Sequence, residues 1–441
     1  MSNIARMMQQ ATAGAGGAGL DVDEVFSTYL YDGTGSAQTI TNGIDHTAEN
    51  TLVWTKTRSS NQYGHRLIDE GNSLILSSDV TNGALNGNLS VSQYYLAGQS
   101  NGFRLLSAEF NVSGQEYVSW TFRKAPKFFD VIDHTQTGSE PSTVTLNHNL
   151  GCDVGMIIAK VYSHTNAWVV WHKDLGSNYA MDFSTGAKSY FGGTGISTSS
   201  TQITIPGSWV HAGYDSQNTI IYVFAHNNND GEFGPDGDQD IIKCGSYTGN
   251  GSTDGPEINL GFEPQWVLVK NVTTGNTNWI LLDNMRGFPS PSSSSTTATL
   301  FPNLTNVEAF GTRFFPTATG FKVDNTGSWV NKSGNTYIYM AIRRGPLAAP
   351  ESATDVFAID TQSQSSAPFA ISNFPVDFAI RKDVDGSGTD GFTRLLQGTG
   401  LFLNTSAAEG SDNVAQFDYN NGYLDNTTQD STRYNWMWKR A

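Results

Sequence analysis

The stretch DVDGSGTDG at residues 383–391 begins like a calcium-binding loop. Asp383, Asp385 and Ser387 fall at loop positions one, three and five, where oxygen ligands of Ca²⁺ are found. Position twelve is Arg394, where such a loop needs a bidentate glutamate. A polar hairpin turn therefore explains the stretch better than a metal site. Calcium at Asp383, Asp385 and Ser387 stays a weak alternative, and we expect no other cofactor.

Two aromatic and amide-rich segments have the composition of sugar-binding loops. Tyr94 and Tyr95 lie in SQYYLAGQSNGF, and Tyr419 and Tyr423 lie in FDYNNGYLDN. Tyrosine faces pack against sugar rings while neighbouring amides hydrogen-bond to hydroxyl groups. The alternative is structural, because tyrosine is a common strand residue and Asn-Gly is a hairpin-turn signal. The four tyrosines are candidate glycan-binding residues.

The sequence offers no recognisable catalytic motif. It contains no nucleophile elbow, zinc-protease helix, P-loop or dinucleotide fingerprint. Asp69, Asp174 and Asp283 recur at similar places in repeated segments, and such recurrence favours a structural cause over a pair of glycosidase carboxylates. The prediction is a protein that is not an enzyme.

Charge and cysteine content exclude several classes of protein. The net charge of −16 disfavours a nucleic acid partner, since phosphates would be repelled. The two cysteines match no metal-binding spacing. Neither a signal-peptide h-region nor a run of membrane-spanning length occurs, so we expect synthesis in a cytoplasm and no membrane insertion.

One strand pattern recurs four times along the chain. YVSWTFRKAP at 117–126 and YIYMAIRRGP at 337–346 share apolar residues at every second place followed by two basic residues. Alternation with a period of two indicates a β-strand. The apolar face of the four copies comprises Val118, Trp120 and Phe122; Tyr222, Phe224 and His226; Ile338, Met340 and Ile342; and Tyr434, Trp436 and Trp438.

Two further strand types precede each copy and predict a hairpin. The first ends in a basic residue, as in TLVWTKTRS at 51–59, and a polar turn connects it to the next, as in GHRLIDEG at 64–71. The spacing predicts an all-β chain of tandem β-sandwich modules, each about the size of a small sandwich domain and each burying its own apolar strands. The predicted segments are an N-terminal segment (1–23), unit 1 (24–126), unit 2 (127–229), an acidic linker (230–240), unit 3 (241–346), a second linker (347–353) and unit 4 (354–441).

The N-terminal segment has one apolar stripe. Ile4, Met7 and Met8 are spaced as on one face of a short helix, and glycines follow from Gly14. A helix this short is marginal alone, so a frayed terminus is one interpretation. The other is an attachment segment that orders on docking to a larger particle.

The segments SYTGNGSTDGPEINLGFEPQWVLVKN, NWILLDNMRG and TYIYMAIRRGP resemble a repeat of tail-fibre and other virion structural proteins of marine bacteriophages, of the cyanophage and pelagiphage type. The resemblance implies a jelly-roll, lectin-like sandwich, homo-oligomerisation and residence on the virion. It leads us to expect a tail-fibre or tail-associated protein, a trimer, bound to other virion proteins through its N-terminus and to a host surface glycan or receptor. Alternatives are a capsid-decorating or head-fibre protein and a tailspike enzyme that cuts surface polysaccharide.

Overall fold

The fold is taken from a computed structural model of the chain. It describes residues 19–84, 95–106, 110–193, 195–211, 213, 216–288, 297–311, 314–347, 350–386, 388–396, 399–408, 410–411, 415–424 and 429–440. Within these residues the regular structure is almost entirely antiparallel β, which confirms the predicted all-β fold.

Units 1 and 2 each contain one larger sheet and smaller ones. The elements of unit 1 are α1 (Val22–Val25, at the start of the unit), β1 (Phe26–Asp32), β2 (Gln38–Ile40), β3 (Thr51–Thr57), β4 (Arg66–Asp69), β5 (Leu74–Leu76), β6 (Tyr95–Gln99), β7 (Gly102–Leu105) and β8 (Glu116–Arg123). Those of unit 2 are β9 (Phe129–Gln136), β10 (Thr143–Asn147), β11 (Val154–Val161), β12 (Val169–His172), a 3-10 turn (Lys173–Leu175), β13 (Tyr179–Ala180), β14 (Ser189–Tyr190), β15 (Ser197–Thr198), β16 (Gln202–Pro206), α2 (Ser208–His211) and β17 (Gln217–Ala225).

Units 3 and 4 repeat this plan. The elements of unit 3 are β18 (Ile242–Thr248), β19 (Glu257–Asn259), β20 (Pro264–Asn271), β21 (Ile280–Asp283), β22 (Ala298–Thr299), β23 (Ala309–Phe310), β24 (Phe314–Thr317), β25 (Gly320–Val323) and β26 (Thr336–Arg343). Those of unit 4 are a 3-10 turn (Ala353–Asp355), β27 (Phe357–Gln362), β28 (Ala370–Ile371), β29 (Phe378–Asp383), β30 (Thr389–Thr393), a 3-10 turn (Arg394–Leu396), β31 (Thr399–Phe402), β32 (Gly410–Ser411), β33 (Gly422–Tyr423) and β34 (Asp430–Trp438).

The larger sheets of all four units share one strand order. In each unit the first strand pairs with the last strand. The last strand also pairs with the strand that was predicted to end in a basic residue. That strand in turn forms the predicted hairpin with the strand that follows it in the chain. The orders are β1-β8-β3-β4-β5, β9-β17-β11-β12, β18-β26-β20-β21 and β27-β34-β29-β30-β31-β32. Each larger sheet lies inside one predicted unit, while the exact boundaries of the units stay a prediction.

The strand register corrects the sequence alignment of unit 2. Leu52 of β3 pairs with Phe122, and the corresponding residue of β11, Met156, pairs with Phe224. The counterparts of Val118, Trp120 and Phe122 in unit 2 are therefore Ile220, Tyr222 and Phe224. His226 follows the end of β17 and is not part of this face. The alignment failed because the basic pair used to anchor it is absent from unit 2.

A second, smaller sheet covers the outer face of each larger sheet, as expected of sandwiches. The smaller sheets are β2-β7-β6, β10-β16-β15, β19-β25-β24 and β28-β33. In unit 1 the layers enclose a cluster that includes Val53 of β3 and Phe103 of β7. In unit 3 they enclose Val267 of β20 and Phe321 of β25.

The opposite faces of the larger sheets of units 1, 2 and 3 pack together around one shared core. A single apolar cluster contains Trp120 and Phe122 of unit 1, Phe224 of unit 2, and Trp266 of unit 3, among many others. Phe122 meets Phe224 at 5.6 Å and Trp266 at 5.8 Å between ring centroids. The expectation that each unit buries its apolar strands separately is wrong for these three. Their larger sheets are apolar on both faces, so each must be covered twice.

The three units are related around the shared core by a closed set of equivalent contacts. Trp168, the residue before β12, donates through Nε1 to the Ser77 carbonyl of unit 1 at 2.8 Å. Trp279, the residue before β21, donates to the Asp182 carbonyl of unit 2 at 2.9 Å. His65, the residue before β4, faces the Phe301 backbone of unit 3. Each unit thus contacts the one before it, and unit 1 closes the ring on unit 3.

The pairing register shows that these contacts occupy equivalent positions. Leu67, Val170 and Leu281 are each the second residue of their strand, β4, β12 and β21. The acceptor in each contact is the residue that directly follows the pairing partner of one of them: Ser77 for Leu67, Asp182 for Val170 and Phe301 for Leu281. Phe183 lies among the units, with its ring 6.0 Å from Trp54, 5.8 Å from Trp168 and 5.1 Å from Trp279. Units 1 to 3 therefore have pseudo-threefold symmetry within one chain.

Unit 4 docks on units 1 and 3 through polar contacts. Asn420 pairs with the backbone of Leu30 on the free edge of β1, accepting at 3.3 Å and donating at 2.6 Å. Arg58 of unit 1 bonds Glu308 of unit 3 and Asp418 of unit 4. Because the apolar cluster of unit 4 is separate from the shared core, this unit is an addition to the ring and not a member of it.

Candidate functional site

Several residues predicted to bind ligands or partners lie outside the described part of the chain. Ile4, Met7 and Met8 belong to residues 1–18, and Tyr94 and Ser387 lie in shorter gaps. Tyr95 begins strand β6, but its side chain also lies outside the description. The attachment segment and this first tyrosine pair therefore stay predictions.

The prediction that Tyr423 binds glycan is corrected by its burial. Tyr423 is 0 % exposed and stacks on Phe417 with ring centroids 5.4 Å apart. Its hydroxyl donates to Asn435 Oδ1 at 2.5 Å. A residue enclosed on both ring faces cannot offer a platform to a sugar, because the stacking surface is already used by the core of unit 4.

Tyr419 lies where unit 4 meets unit 1. The residue is partly buried, and burial together with the carboxylates of Asp418 and Glu116 raises its pKa to about 12. The two tyrosines, which the sequence analysis treated as one platform, thus have different environments, because Tyr423 lies in strand β33 of the unit 4 core whereas Tyr419 lies outside any strand.

The predicted calcium ligand Asp383 is engaged by an arginine. Its carboxylate forms an ion pair with Arg433 Nε at 2.9 Å, across the pair of strands β29 and β34. Asp385 is exposed in the turn that follows. Among the described residues no group of three or more histidine, cysteine, aspartate or glutamate side chains is placed to hold a metal ion.

The strongest candidate site is a cleft at the junction of units 1, 3 and 4, which we call the junction cleft. It has a volume of about 270 Å³ and both polar and apolar walls. Strand β1 supplies one wall, the ends of the unit 3 strands another, and the 3-10 turn after β30 a third. Its lining includes Asp23, Asn284, Met285, Arg344, Asp377 and Arg394.

Two arginines and one aspartate set the charge of the junction cleft. Arg344 of unit 3 forms ion pairs with Glu263 and with Asp377 of unit 4. Arg394 approaches the same aspartate at 3.4 Å and donates to the Val376 carbonyl at 3.0 Å. Burial lowers the pKa of Arg394 to about 10, a cost that Asp377 partly offsets. The cleft therefore holds a cationic group from which water is largely excluded.

Two buried polar atoms of the junction cleft lack a hydrogen-bond partner within the described structure. They are Nη2 of Arg394, whose residue is 5 % exposed, and Oδ1 of Asn284. Arg394 Nη1, in contrast, lies 3.4 Å from the Asn284 carbonyl. Buried polar groups are nearly always satisfied, so an unpaired donor and acceptor in one cleft suit a ligand that supplies both. A hydroxyl group does so, because it can both donate and accept.

Asp23 adds a titratable group to the same cleft. Burial raises its pKa to about 6, although Lys439 and Arg344 act in the opposite direction. The carboxyl is therefore a hydrogen-bond donor in mildly acidic solution and an acceptor above it.

Little in the sequence indicated the junction cleft. Arg394 was visible only as a residue that does not fit a calcium loop. Its contacts Asn284 and Met285 lie about 110 positions earlier in the chain. A local pattern carries no information on such a pairing.

A repeated signal that was visible in the sequence is the lysine near the end of one strand type. Lys56, Lys160 and Lys270 are buried, and their ammonium groups donate to backbone carbonyls. Burial is the main cause that lowers the pKa of Lys56 and Lys160 to about 8 and that of Lys270 to about 7. They are fixed parts of units 1 to 3 and not binding groups.

No helix in the described residues has the length and hydrophobicity to cross a membrane. No curated protein and no solved structure matches the chain. A family model, the domain of unknown function DUF7483, matches residues 21–346. This range covers helix α1 and units 1 to 3, the part built around the shared core, and stops before unit 4. The chain belongs to the DUF7483 family.

Proposed function

We propose that this chain is a structural protein of a bacteriophage particle, a tail fibre or tail-associated protein that links the particle to the host surface. The observation that carries the proposal is the fourfold use of one sheet plan, with three copies closed around a shared core. Such construction gives a rigid body without disulfides; the two cysteines are free and buried. The protein is made in the host cytoplasm and works on the virion as a homo-oligomer.

A role without catalysis is supported by the hydrogen bonds and ion pairs that hold the carboxylates of Asp69 and Asp283. Asp283 accepts from Trp120 Nε1 at 2.9 Å and pairs with Arg286. Asp69 accepts from Asn50 and Asn72. Asp69 and Asp283 are fully buried, so these two carboxylates stabilise their units and have no free face for a substrate. Incubation with host polysaccharide tests this point, since new reducing ends would favour the tailspike enzyme.

The location on the particle tests the main proposal. Antibody against purified protein, detected by gold labelling in electron microscopy, is expected to mark the tail of phage particles from the source culture. Labelling of the capsid surface would favour the capsid-decorating alternative, and particles free of the protein would refute a virion role. A chain without residues 1–12 is expected to fold but to be absent from particles, if Ile4, Met7 and Met8 form the attachment segment.

We infer that the junction cleft is where a host surface saccharide binds. Arg394 and Asn284 supply the donor and acceptor, and Asp23 favours a ligand with hydroxyl groups. Binding of purified surface polysaccharide by the full chain, measured by calorimetry, is expected to weaken at least tenfold in Asn284→Ala. The matched control Asn147→Ala changes an exposed amide of unit 2 and is expected to leave binding unchanged. Equal affinity of both variants and wild type would refute the assignment of the site.

A further inference from the structure

Unit 4 exposes the sheet face that units 1 to 3 bury in the shared core. On strand β34, Tyr434, Trp436 and Trp438 alternate with Asn435 and Met437, which point into the core of the unit. Tyr434 is 43 % exposed and the two tryptophans are partly exposed. The residues of the other units that correspond to Trp436 are Trp120, Tyr222 and Met340, and each is at most 1 % exposed.

The exposed apolar surface continues across the neighbouring strands. Trp436 pairs with Ile359 on one side and with Ile380 on the other, and Leu401 follows across β30 and β31. Ile359 is 54 % exposed and Leu401 is 43 % exposed. We call this surface the open face of unit 4; its apolar residues are Phe357, Ile359, Phe378, Ile380, Leu401, Tyr434, Trp436 and Trp438.

The chain itself contains the arrangement that covers such a face. The three equivalent faces of units 1 to 3 pack on one another. Strand β4 of unit 1 meets the last strand of unit 2, β12 of unit 2 meets that of unit 3, and β21 of unit 3 meets that of unit 1. Asp283 at the end of β21 accepts from Trp120 of unit 1, and His172 at the end of β12 contacts the Tyr339 carbonyl of unit 3 at 3.0 Å. Asp69 at the end of β4 faces the hydroxyl of Tyr222 in unit 2. These contacts form a closed ring that requires three units.

We propose that three copies of this chain associate through the open faces of unit 4, forming a true threefold ring equivalent to the pseudo-threefold ring inside each chain. The proposal deepens the homo-oligomeric part of the proposed function and rests on it, but not on where the protein is located. Five strands spaced by about 4.8 Å and about five residues long give a face of roughly 400 Å² in projection. The largest apolar patch on a typical monomer covers about 300–600 Å² and is often functional, and the open face falls in this range.

The strand register assigns the residues that meet between copies. Phe378 pairs with both Trp438 and Thr393, as Trp266 pairs with Ile342 and Asp283. Thr393 therefore corresponds to Asp283, and Trp436 corresponds to Trp120. In the ring of copies, Trp436 of one chain lies against Thr393 of the next.

The ring of copies is weaker than the ring within a chain. Thr389 occupies the position that His65, Trp168 and Trp279 hold in units 1 to 3. The contacts that these three side chains make to a neighbouring unit are therefore absent from the ring of copies. The face is also smaller than the roughly 800 Å² per partner of a standard interface. Association is therefore expected to depend on concentration in the micromolar range.

Sedimentation equilibrium of the full purified chain tests the proposal. Wild type is expected to pass from one to three chains per particle as concentration rises from about 1 to 200 µM, the range of a weak interface. Ile359→Glu places a charge on the open face and is expected to raise the dissociation constant at least tenfold. The control Phe310→Glu alters a side chain of unit 3 that is 62 % exposed, and it is expected to associate like wild type. A wild-type protein that stays monomeric, forms dimers, or is unaffected by Ile359→Glu overturns the proposal.

A cross-link keeps the test valid if Ile359→Glu folds poorly. The double variant Thr393→Cys with Trp436→Cys cannot bridge within one chain, because β29 lies between the two strands and the positions are offset by two residues, so their Cα atoms are roughly 11–12 Å apart, beyond disulfide reach. The native cysteines are buried. Oxidation is expected to give a covalent species of three chains, whereas only monomers, or dimers bridged at random, would refute the assigned register. Because these assays use purified protein, their failure leaves the labelling test of the virion role standing.

Discussion

Replacing Lys270 by methionine is expected to stabilise the protein at neutral pH and to destabilise it at alkaline pH. The Lys270 ammonium is buried and donates to the carbonyl and hydroxyl of Thr277 at 2.7 and 2.9 Å. Burial lowers its pKa from 10.5 to about 7. Between these two values the unfolded chain binds more protons than the folded one, so the free energy of unfolding rises with pH. Below pH 7 the folded state carries the full cost of the buried charge.

The magnitude follows from the two pKa values. At 1.36 kcal/mol per pKa unit, the difference corresponds to about 5 kcal/mol of lost stability below pH 7. Lys270→Met removes this cost and keeps the length of the side chain, but it leaves the buried Thr277 carbonyl without its donor, which costs about 1–3 kcal/mol. We expect the variant to be more stable by about 2–4 kcal/mol at pH 6 and less stable by up to about 2 kcal/mol at pH 10.

Urea unfolding of both proteins at several pH values between 6 and 10 measures this difference. Groups other than residue 270 titrate alike in both proteins, so their contributions cancel. Lys382→Met is the matched control, because Lys382 occupies the same strand position in unit 4 but is only partly buried. A difference between Lys270→Met and wild type that does not change with pH would refute the reasoning.

Three further variants test the packing between units. Gly155→Ala is expected to lower the free energy of unfolding by about 1–3 kcal/mol, because a Cβ there would lie 2.5 Å from Cys244 Sγ of unit 3. Trp168→Phe removes a donor of the pseudo-threefold ring, so we expect a loss of about 1–3 kcal/mol by urea unfolding. Asn420→Ala removes both bonds to Leu30, and we expect faster proteolytic release of unit 4, with about 1–2 kcal/mol less docking free energy.

Controls for these variants come from positions without the contact in question. Gly275→Ala has no atom closer than 3.8 Å to the added Cβ and is expected to be neutral. Equal loss of stability in Gly155→Ala and Gly275→Ala would contradict the tight approach of units 2 and 3. Unchanged unfolding of Trp168→Phe, or an unchanged cleavage rate in Asn420→Ala, would contradict the corresponding contact.

The local pattern of the sequence was sufficient to predict the all-β class, the fourfold repeat and the hairpin in each unit. These features depend on near neighbours: alternation with a period of two, and a polar turn between two such runs. The same reasoning failed for Tyr423, since a tyrosine beside an Asn-Gly turn is equally consistent with an exposed loop and a core strand. It also misaligned unit 2 at His226, where the anchoring basic pair is missing.

The sequence by itself determined which residues alternate and where the strands of each unit lie. Only the tertiary structure decided that units 1 to 3 share a core, that Lys56, Lys160 and Lys270 are buried, and that Arg394 faces Asn284 in the junction cleft. The physical reason is that an apolar strand face must be covered but does not specify by what. Its cover is chosen by side chains about a hundred residues away, through shape and hydrogen-bond partners that exist only once the units are packed together.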